Sequence, residues 1–470
     1  MATDGDLRRL VRHGLAGLGR DRDRLDRVHS YLHGRHAGPY MPPSANREYR
    51  LLAARALANF LPLVVKSPAQ AMRVSGYDHS GAKSTDIAPE WRAWQANRMD
   101  SRQHAVHAAA IAYGHAYVRV LPEDGRPVIR GVSPRQMYAA YDDPANDALP
   151  LWAMQIERFP SQVDPDDTIR AWLITKTHVI EFRVCGGPDG GTEPVASVPH
   201  GMTLDGEPVC PVVRFAPGLD LEGRAVGVVE PLIPIQDRIN QTIFDLLVAQ
   251  TFGSFKVRTI SGMAPQIVTD RDGNPVLDPD TGKPKVQPIR ADASRFLVAP
   301  DPDTRFGQLD ETPLGGFLDA IEAAVRQMSV IGQTPPHYLL GSVVNLSAEA
   351  LAAAEAALTR AVRIYQAECG ESWELVMALA GSILGEPYDR DAQMVWDDHE
   401  SRSLAQTIDA LGKAVQMLHV PPREVWRKIP GVTAGDVERW IAAADADDQD
   451  LRLSARLRQV IGDEGSGVAD

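Results

Sequence analysis

Between Leu232 and Ile383 the chain alternates helix-forming and helix-hostile stretches in an order that few folds can accommodate. Ile235, Ile239, Ile243, Leu246, Leu247 and Gln250 recur mostly four and then three residues apart, and so do Phe317, Leu318, Ile321, Val325, Met328 and Ile331. A period of 3.6 residues assigns both runs to helices. Between them, from about Val257 to Leu314, proline, glycine and aspartate accumulate. A structureless loop of roughly 58 residues is uncommon inside a compact domain, so this excursion reads as a small module of its own. The second helix runs into Gln333-Thr334-Pro335-Pro336-His337-Tyr338-Leu339-Leu340-Gly341, where paired prolines forbid its continuation. A long alanine-rich helix then opens near Ser347. Two helices that leave and return around an inserted module describe a stalk carrying a head.

Composition limits the function classes. At 470 residues the chain has room for roughly three domains. No apolar run approaches the ~20 residues of a membrane span, and Met1 to Asp6 has no apolar signal-peptide core. Cys185, Cys210 and Cys369 lie far apart without a CxxC spacing, so they are expected to be reduced and incidental. A net charge of −13 argues against tight, static binding of phosphate. It is compatible with a surface past which DNA slides without sticking. Charge is uneven, with Arg8, Arg9, Arg12, Arg20, Arg22, Arg24 and Arg27 near the start and Asp445, Asp447, Asp448, Asp450, Asp463 and Glu464 near the end. Two solvated faces account for this pattern; the sharper alternative is an N-terminal segment that meets an acidic partner or a neighbouring subunit.

Before the stalk the pattern is α+β. Residues 25–74 read as helical with a junction at Asn59-Phe60-Leu61-Pro62. Two helices are expected between Ala88 and Gly114, with Pro89 in a first helical position and Ser101 capping the second. The period then changes to two. Tyr117–Leu121 and Val128–Val132 flank a turn and form a hairpin, and further strands are expected at Leu151–Phe159, Ile169–Thr175, Val179–Val184 and Val209–Phe215. Gln266–Thr269 is a β-branched run between turn signals in the excursion. Helices are expected from Glu400 to Leu418, from Pro421 onward, and from a variant capping box at Thr433–Asp436 through Ala444, with disorder from residue 463.

Motifs for catalysis are scarce. The chain has no GxxxxGK[ST], no HExxH and no GxSxG. His29, His33 and His36 have metal-like spacing, but Gly34 makes a regular helix doubtful there. His104 and His107 lack a nearby carboxylate or thiol partner in sequence. Asp397-Asp398-His399-Glu400 is the densest group of hard ligands. A helix start, with acids against the positive end of the dipole, explains it as well. No cofactor and no metal site is expected.

The stalk motif Pro231-Leu232-Ile233-Pro234-Ile235-Gln236-Asp237-Arg238-Ile239-Asn240-Gln241-Thr242, the segment Gln333 to Gly341 and the later Trp396-Asp397-Asp398-His399-Glu400-Ser401-Arg402-Ser403 together resemble the portal proteins of tailed bacteriophages. The likeness is to the branch common in phages of high-GC Gram-positive hosts, and it runs from about Leu25 to about Trp440. It implies an α+β portal fold: an N-terminal arginine-rich segment (1–24), a wing (25–231), a first stem helix (232–256), a clip (257–315), a second stem helix (316–332), a tunnel loop (333–346), a long helix with wing return (347–402), a helical crown (403–462) and a tail (463–470). Thr334, Pro335, Pro336, His337, Tyr338 and Asn345 become the expected DNA-facing tunnel-loop residues. The same likeness implies a ring of about twelve copies at a unique capsid vertex of the virion, assembled in the host cytoplasm. Its expected partners are the terminase large subunit, major capsid and scaffolding proteins, head-completion or adaptor proteins, and double-stranded DNA passing without sequence readout, with no membrane. A prophage or gene-transfer particle would carry the same sequence. Two other classes compete: another head–tail connector or capsid-associated structural protein, and a metal-dependent DNA hydrolase.

Overall fold

A capping box starts the first helix, α1 (Asp4–Leu32): the Thr3 hydroxyl accepts from the Asp6 amide, and the Asp6 carboxylate accepts from the Thr3 amide. In the computed structural model the described residues are 3–43, 47–79, 88–160, 164, 166–187, 191–253, 258–261, 267–270, 272–279, 282–285, 305–308, 313–341, 348–397, 404–426, 429, 432, 435–437 and 439–446. After α1 come α2 (Arg47–Arg55), α3 (Leu61–Ala71), β1 (Val74–Asp78), α4 (Pro89–Ala96) and α5 (Met99–Tyr113). Then follow β2 (Ala116–Glu123), β3 (Arg126–Val132), β4 (Met137–Ala140), β5 (Trp152–Ile156), β6 (Thr168–Ile174), β7 (His178–Cys185), β8 (Thr192–Pro199), β9 (Thr203–Leu204), β10 (Glu207–Pro208) and β11 (Val212–Phe215). The rest comprises α6 (Ile233–Gly253), β12 (Arg258–Ser261), β13 (Arg305–Gln308), α7 (Gly315–Ile331), α8 (Pro336–Leu340), α9 (Ala348–Leu384), β14 (Gln393–Trp396), α10 (Leu404–Leu418) and α11 (Pro422–Trp426). Two units result: one of residues 1–36, 59–236 and 325–470, the other of residues 37–58 and 237–324.

In the larger unit a five-stranded antiparallel sheet runs β4-β5-β6-β7-β8. Alternation along β6 and β7 turns Ile169, Ala171, Leu173, Ile180, Phe182 and Val184 to one core, where Val11 and Leu18 of α1 meet them. Two buried glycines let the helix lie close. A Cβ on Gly14 would stand 2.9 Å from the Met154 sulfur, and one on Gly17 would run into the Tyr138 ring. The arginines of α1 are largely on its solvent side: Arg8 pairs with Asp4 at 3.0 Å and Arg22 with Asp26 at 3.5 Å. Arg24 reaches Glu230 at 3.2 Å. The segment boundary expected at residue 24 falls inside this continuous helix, and so does His29.

A second antiparallel sheet, β11-β2-β3, contains the expected hairpin. Strands β4, β8, β1 and β14 carry weaker alternation and were not among the expected ones. They are defined by their neighbours, as when β1 pairs with β14 far along the chain. Gln103, wholly buried, completes that edge: its Oε1 accepts from the Val74 amide at 2.7 Å and its Nε2 donates to the Val74 carbonyl at 3.2 Å. Across these elements lies α9, whose Trp373 packs edge-on to Trp94 (4.9 Å) and Phe215 (4.5 Å). The expected cap at Ser101 is corrected. Arg98, at φ +54°, precedes α5, and Ser101 is within the helix, donating back to the Arg98 carbonyl.

In the smaller unit, α2 packs on α6 through Leu52, Ala53, Ala56 and Phe244. Amide side chains of α6 hold the incoming chain: Asn240 Oδ1 accepts from Ala58 N–H (3.1 Å), and Gln241 Oε1 from Tyr40 N–H (2.9 Å). The excursion contains the antiparallel pair β12–β13 and two nested turns, in which Val268 and Lys285 exchange with Val276. The expected strand at Gln266–Thr269 is replaced by a single bridge, Thr269 to Pro275, with Gln266 outside the described residues. Asp270 Oδ1 closes the first turn by accepting from the Asp272 and Asn274 amides.

Candidate functional site

The segment joining α7 to α9 begins with a helix stop built from its own residues. Gln333 takes a left-handed φ of +49°; its amide donates to the Val330 carbonyl, and the Thr334 amide donates to Ser329 at 3.0 Å. This is the two-bond Schellman arrangement, with glutamine where glycine is usual. Side chains reinforce it, because Ser329 Oγ donates to the Thr334 carbonyl at 2.6 Å and Thr334 Oγ1 donates to Gly332 at 3.1 Å. A Cβ on Gly332 would stand 3.0 Å from Val64 and 3.2 Å from Leu232, so the chain turns against a packed wall.

Beyond the stop, the expectation of an irregular connection needs correction. Pro336 occupies the first position of the single-turn α8, where a missing N–H costs nothing, and Gly341 (φ +67°) ends it. Burial separates the six expected residues. Thr334 and Pro335 are buried within the unit, which removes them from any DNA-facing set; Pro336 is exposed and His337 half-buried. Tyr338 is 40% exposed. Asn345 lies outside the described residues, as do Val343, Val344 and Ser347.

His337 and Tyr338 converge on Glu355 of α9. Tyr338 Oη donates to Glu355 Oε1 at 3.3 Å, and His337 Nε2 stands 3.8 Å from the same oxygen. Their rings meet edge to face with centroids 4.7 Å apart. Burial first, and then the Glu355 carboxylate, raise the Tyr338 pKa, so its hydroxyl stays a proton donor. These side chains border a cleft of about 320 Å³ completed by Leu63, Ser67, Gln70 and Ala71 of α3 and by Leu358 and Thr359 of α9. Glu355 was not singled out in the sequence; its spacing from Tyr338 across a loop gives no local signal. The roles of Gln236, Asn240 and Gln241, by contrast, are carried by the stalk motif: Gln236 Oε1 accepts from the Phe60 amide at 3.0 Å.

The histidines are accounted for without a metal. His29 Nδ1 meets Tyr113 Oη at 2.8 Å, His33 meets the His29 carbonyl at 2.9 Å, and His36 stacks on Tyr31 at 4.2 Å. His104 reaches the Ala69 carbonyl at 3.3 Å. Asp397 pairs with Arg73 at 3.5 Å, whereas Asp398, His399 and Glu400 lie outside the described residues. Among the described residues no group of three or more His, Cys, Asp or Glu could hold a metal ion, and no helix is long and apolar enough to cross a membrane. Cys210 and Cys369 are buried thiols, and burial pushes Cys369 up to about 12. Asp445 of the acidic end pairs with Arg423 at 2.6 Å; the remainder of that end, with the expected tail, is outside the described residues.

Comparison with known proteins follows the same order of elements. Among solved structures the chain is similar to one described as "Virion of native gene transfer agent (GTA) particle", at 14% identity and TM-score 0.42 over 84% of this chain and 99% of that one. It is likewise similar to "Neck of empty GTA particle computed with C6 symmetry", at 13% identity and TM-score 0.41 over 84% and 100%. In sequence it is 26% identical over 397 residues to the portal protein of Mycobacterium phage D29, spanning 80% of this chain and 77% of that protein. To the portal protein of Mycobacterium phage L5 it is 25% identical over 366 residues, spanning 75% and 71%. Both relatives come from phages of a high-GC host, the branch whose motifs the chain shares. A family model described as "Phage portal protein, SPP1 Gp6-like" matches residues 14–450, so the likeness extends beyond Leu25 and Trp440 at both ends. That family is structural and not enzymatic, which displaces the hydrolase and the other connector classes. The chain belongs to the phage portal protein family.

Proposed function

We propose that about twelve copies of this chain close into a ring at one capsid vertex, through which DNA is driven inward during packaging and released later. Family membership over residues 14–450 is the observation that carries this reading. The order of elements supports it: α6 and α7 bracket the β12–β13 module, and the α8 segment follows directly. In this assignment residues 232–256 and 316–332 are the stem, 257–315 the clip that meets the terminase large subunit and later the head-completion proteins, 25–231 the wing seated among capsid and scaffolding proteins, and 403–462 the crown. The particle neck is the site of action, with assembly in the host cytoplasm.

The work of translocation belongs to an ATP-driven partner, since the chain has no phosphate-cradling loop. The ring contributes shape and a tolerant surface. With a net charge of −13 per copy, a phosphate near the wall meets a broad repulsion without deep wells, so DNA moves past without lodging. His337 and Tyr338, with Asn345, are the groups assigned to local contact with DNA at the constriction, held by Glu355 on the frame of α9. The test is a variant carrying His337→Ala and Tyr338→Ala, assembled into particles and scored for nuclease-protected genome. Reduced filling or retention with intact rings is expected; unchanged filling would overturn the assignment.

A further inference from the structure

Helix α2 has two chemically distinct sides. Leu52, Ala53 and Ala56 pack inward against α6, whereas Arg47, Arg50, Leu51, Ala54 and Arg55 recur three, four, seven and eight residues apart and are all exposed. Leu51 is 52% exposed. Among the described residues none of the three arginines makes an ion pair within the chain. In a protein of net charge −13, an uncompensated basic face around an exposed leucine stands out from the average. The one acid of this helix, Glu48, lies at the edge of the face.

The same unit carries the complement. On the first turns of α7, Leu318, Asp319, Glu322 and Ala323 are all exposed and share one side of the helix, with Leu318 57% exposed. Asp319, like the arginines of α2, has no ion pair within the chain among the described residues. Two helix faces with opposite charge and an apolar centre each, left unjoined within one chain, fit a head-to-tail contact between copies. A closed cyclic assembly requires contacts of that heterologous kind, in which two different patches meet.

We propose that the exposed face of α2, centred on Arg50, Leu51 and Arg55, docks on the Leu318–Asp319–Ala323 face of α7 in the next copy of this chain. The inference rests on the ring reading and adds to it the surfaces that meet. Charge complementarity sets register and direction around the ring, and Leu51 against Leu318 supplies the desolvated centre.

The full-length protein and three variants test it by mass photometry with negative-stain images, with far-UV circular dichroism to confirm folding. Arg50→Glu with Arg55→Glu, and Asp319→Lys alone, each place like charges across the contact, so the ring fraction is expected to fall by about tenfold or more. Combining the two sets exchanges the charges and is expected to restore rings. Rings of unchanged abundance in the charge-reversed variants overturn the proposal; if such rings also retain DNA less well as salt rises, the α2 face belongs to DNA instead. Loss of rings that the exchange fails to restore also overturns it. Absence of rings from the unaltered protein overturns the ring reading itself, which separates the two failures.

Discussion

The indole N–H of Trp373 donates to Nε2 of His107 at 2.8 Å, joining two fully buried side chains 266 residues apart in sequence. With Nε2 accepting, the imidazole is neutral and carries its proton on Nδ1, toward the Met72 carbonyl. Helix α5 and the long α9 are thereby fixed to each other by one bond in an apolar setting, where an orphaned partner is costly. Replacing Trp373 with Phe leaves Nε2 without its donor and should cost about 1–3 kcal/mol in addition to lost packing. Urea unfolding at pH 7 measures this.

The same bond gives a pH dependence. Burial lowers the His107 pKa from 6.5 to about 3, so the folded protein excludes a proton that the unfolded chain accepts. Its contribution is complete above pH 6.5 and declines as pH falls toward 3. Unfolding midpoints measured from pH 7 to pH 4 should therefore decrease. In His107→Leu the overall stability is lower but the slope is flatter; an unchanged slope would contradict a neutral His107.

Gln236 is a second buried link, with Oε1 accepting from the amide of Phe60 as α3 begins. Gln236→Ala removes that acceptor and should destabilise the protein by about 1–3 kcal/mol. Hydrogen exchange at the Phe60 amide should accelerate, whereas exchange in β6 and β7 should change only as far as global stability does.

Two glycines should respond in opposite directions. A Cβ at Gly227 would collide with the Ala112 carbonyl, so Gly227→Ala is expected to cost at least the ~1–3 kcal/mol of overpacking. Gly19, exposed in α1 with nothing within 4 Å of an added Cβ, should gain about 0.5–1 kcal/mol as alanine. Thermal melts of the two variants decide the matter, and equal shifts would be inconsistent with the packing described.

Glu355 ties α8 to α9 through Tyr338 and His337. These contacts are partly exposed and so worth little, about 0.5–1 kcal/mol. Glu355→Ala should speed exchange of the Tyr338–Gly341 amides by roughly two- to fivefold, with no comparable change in α5.

Much of this was readable where a local pattern and the tertiary context agree. The stalk helices and the hairpin of β2 and β3 follow from apolar periods of 3.6 and two, and the break after α7 follows from Pro335 and Pro336. Legibility fails where partners are distant. Strands β1 and β14 stabilise each other across more than half the chain, and Glu355 acquires its place from α8 only through the fold. Ser101 misled because a serine near a helix start is a common cap, while here the tight α4–α5 turn uses a left-handed Arg98 and moves the start upstream. Thr334 and Pro335 misled in a different way. Polar or proline residues in a connection read as exposed, but Thr334 spends its hydrogen bonds on Gly332 and Ser329 and is buried by them.

The central claim is a closed ring of this chain, and mass photometry of the purified protein with negative-stain images tests it most directly. The account predicts a species of about 600 kDa, twelve times the 51.2 kDa of one chain, with an open centre. A protein that stays monomeric or dimeric across salt and concentration, and also in the presence of its scaffolding and capsid proteins, would contradict it.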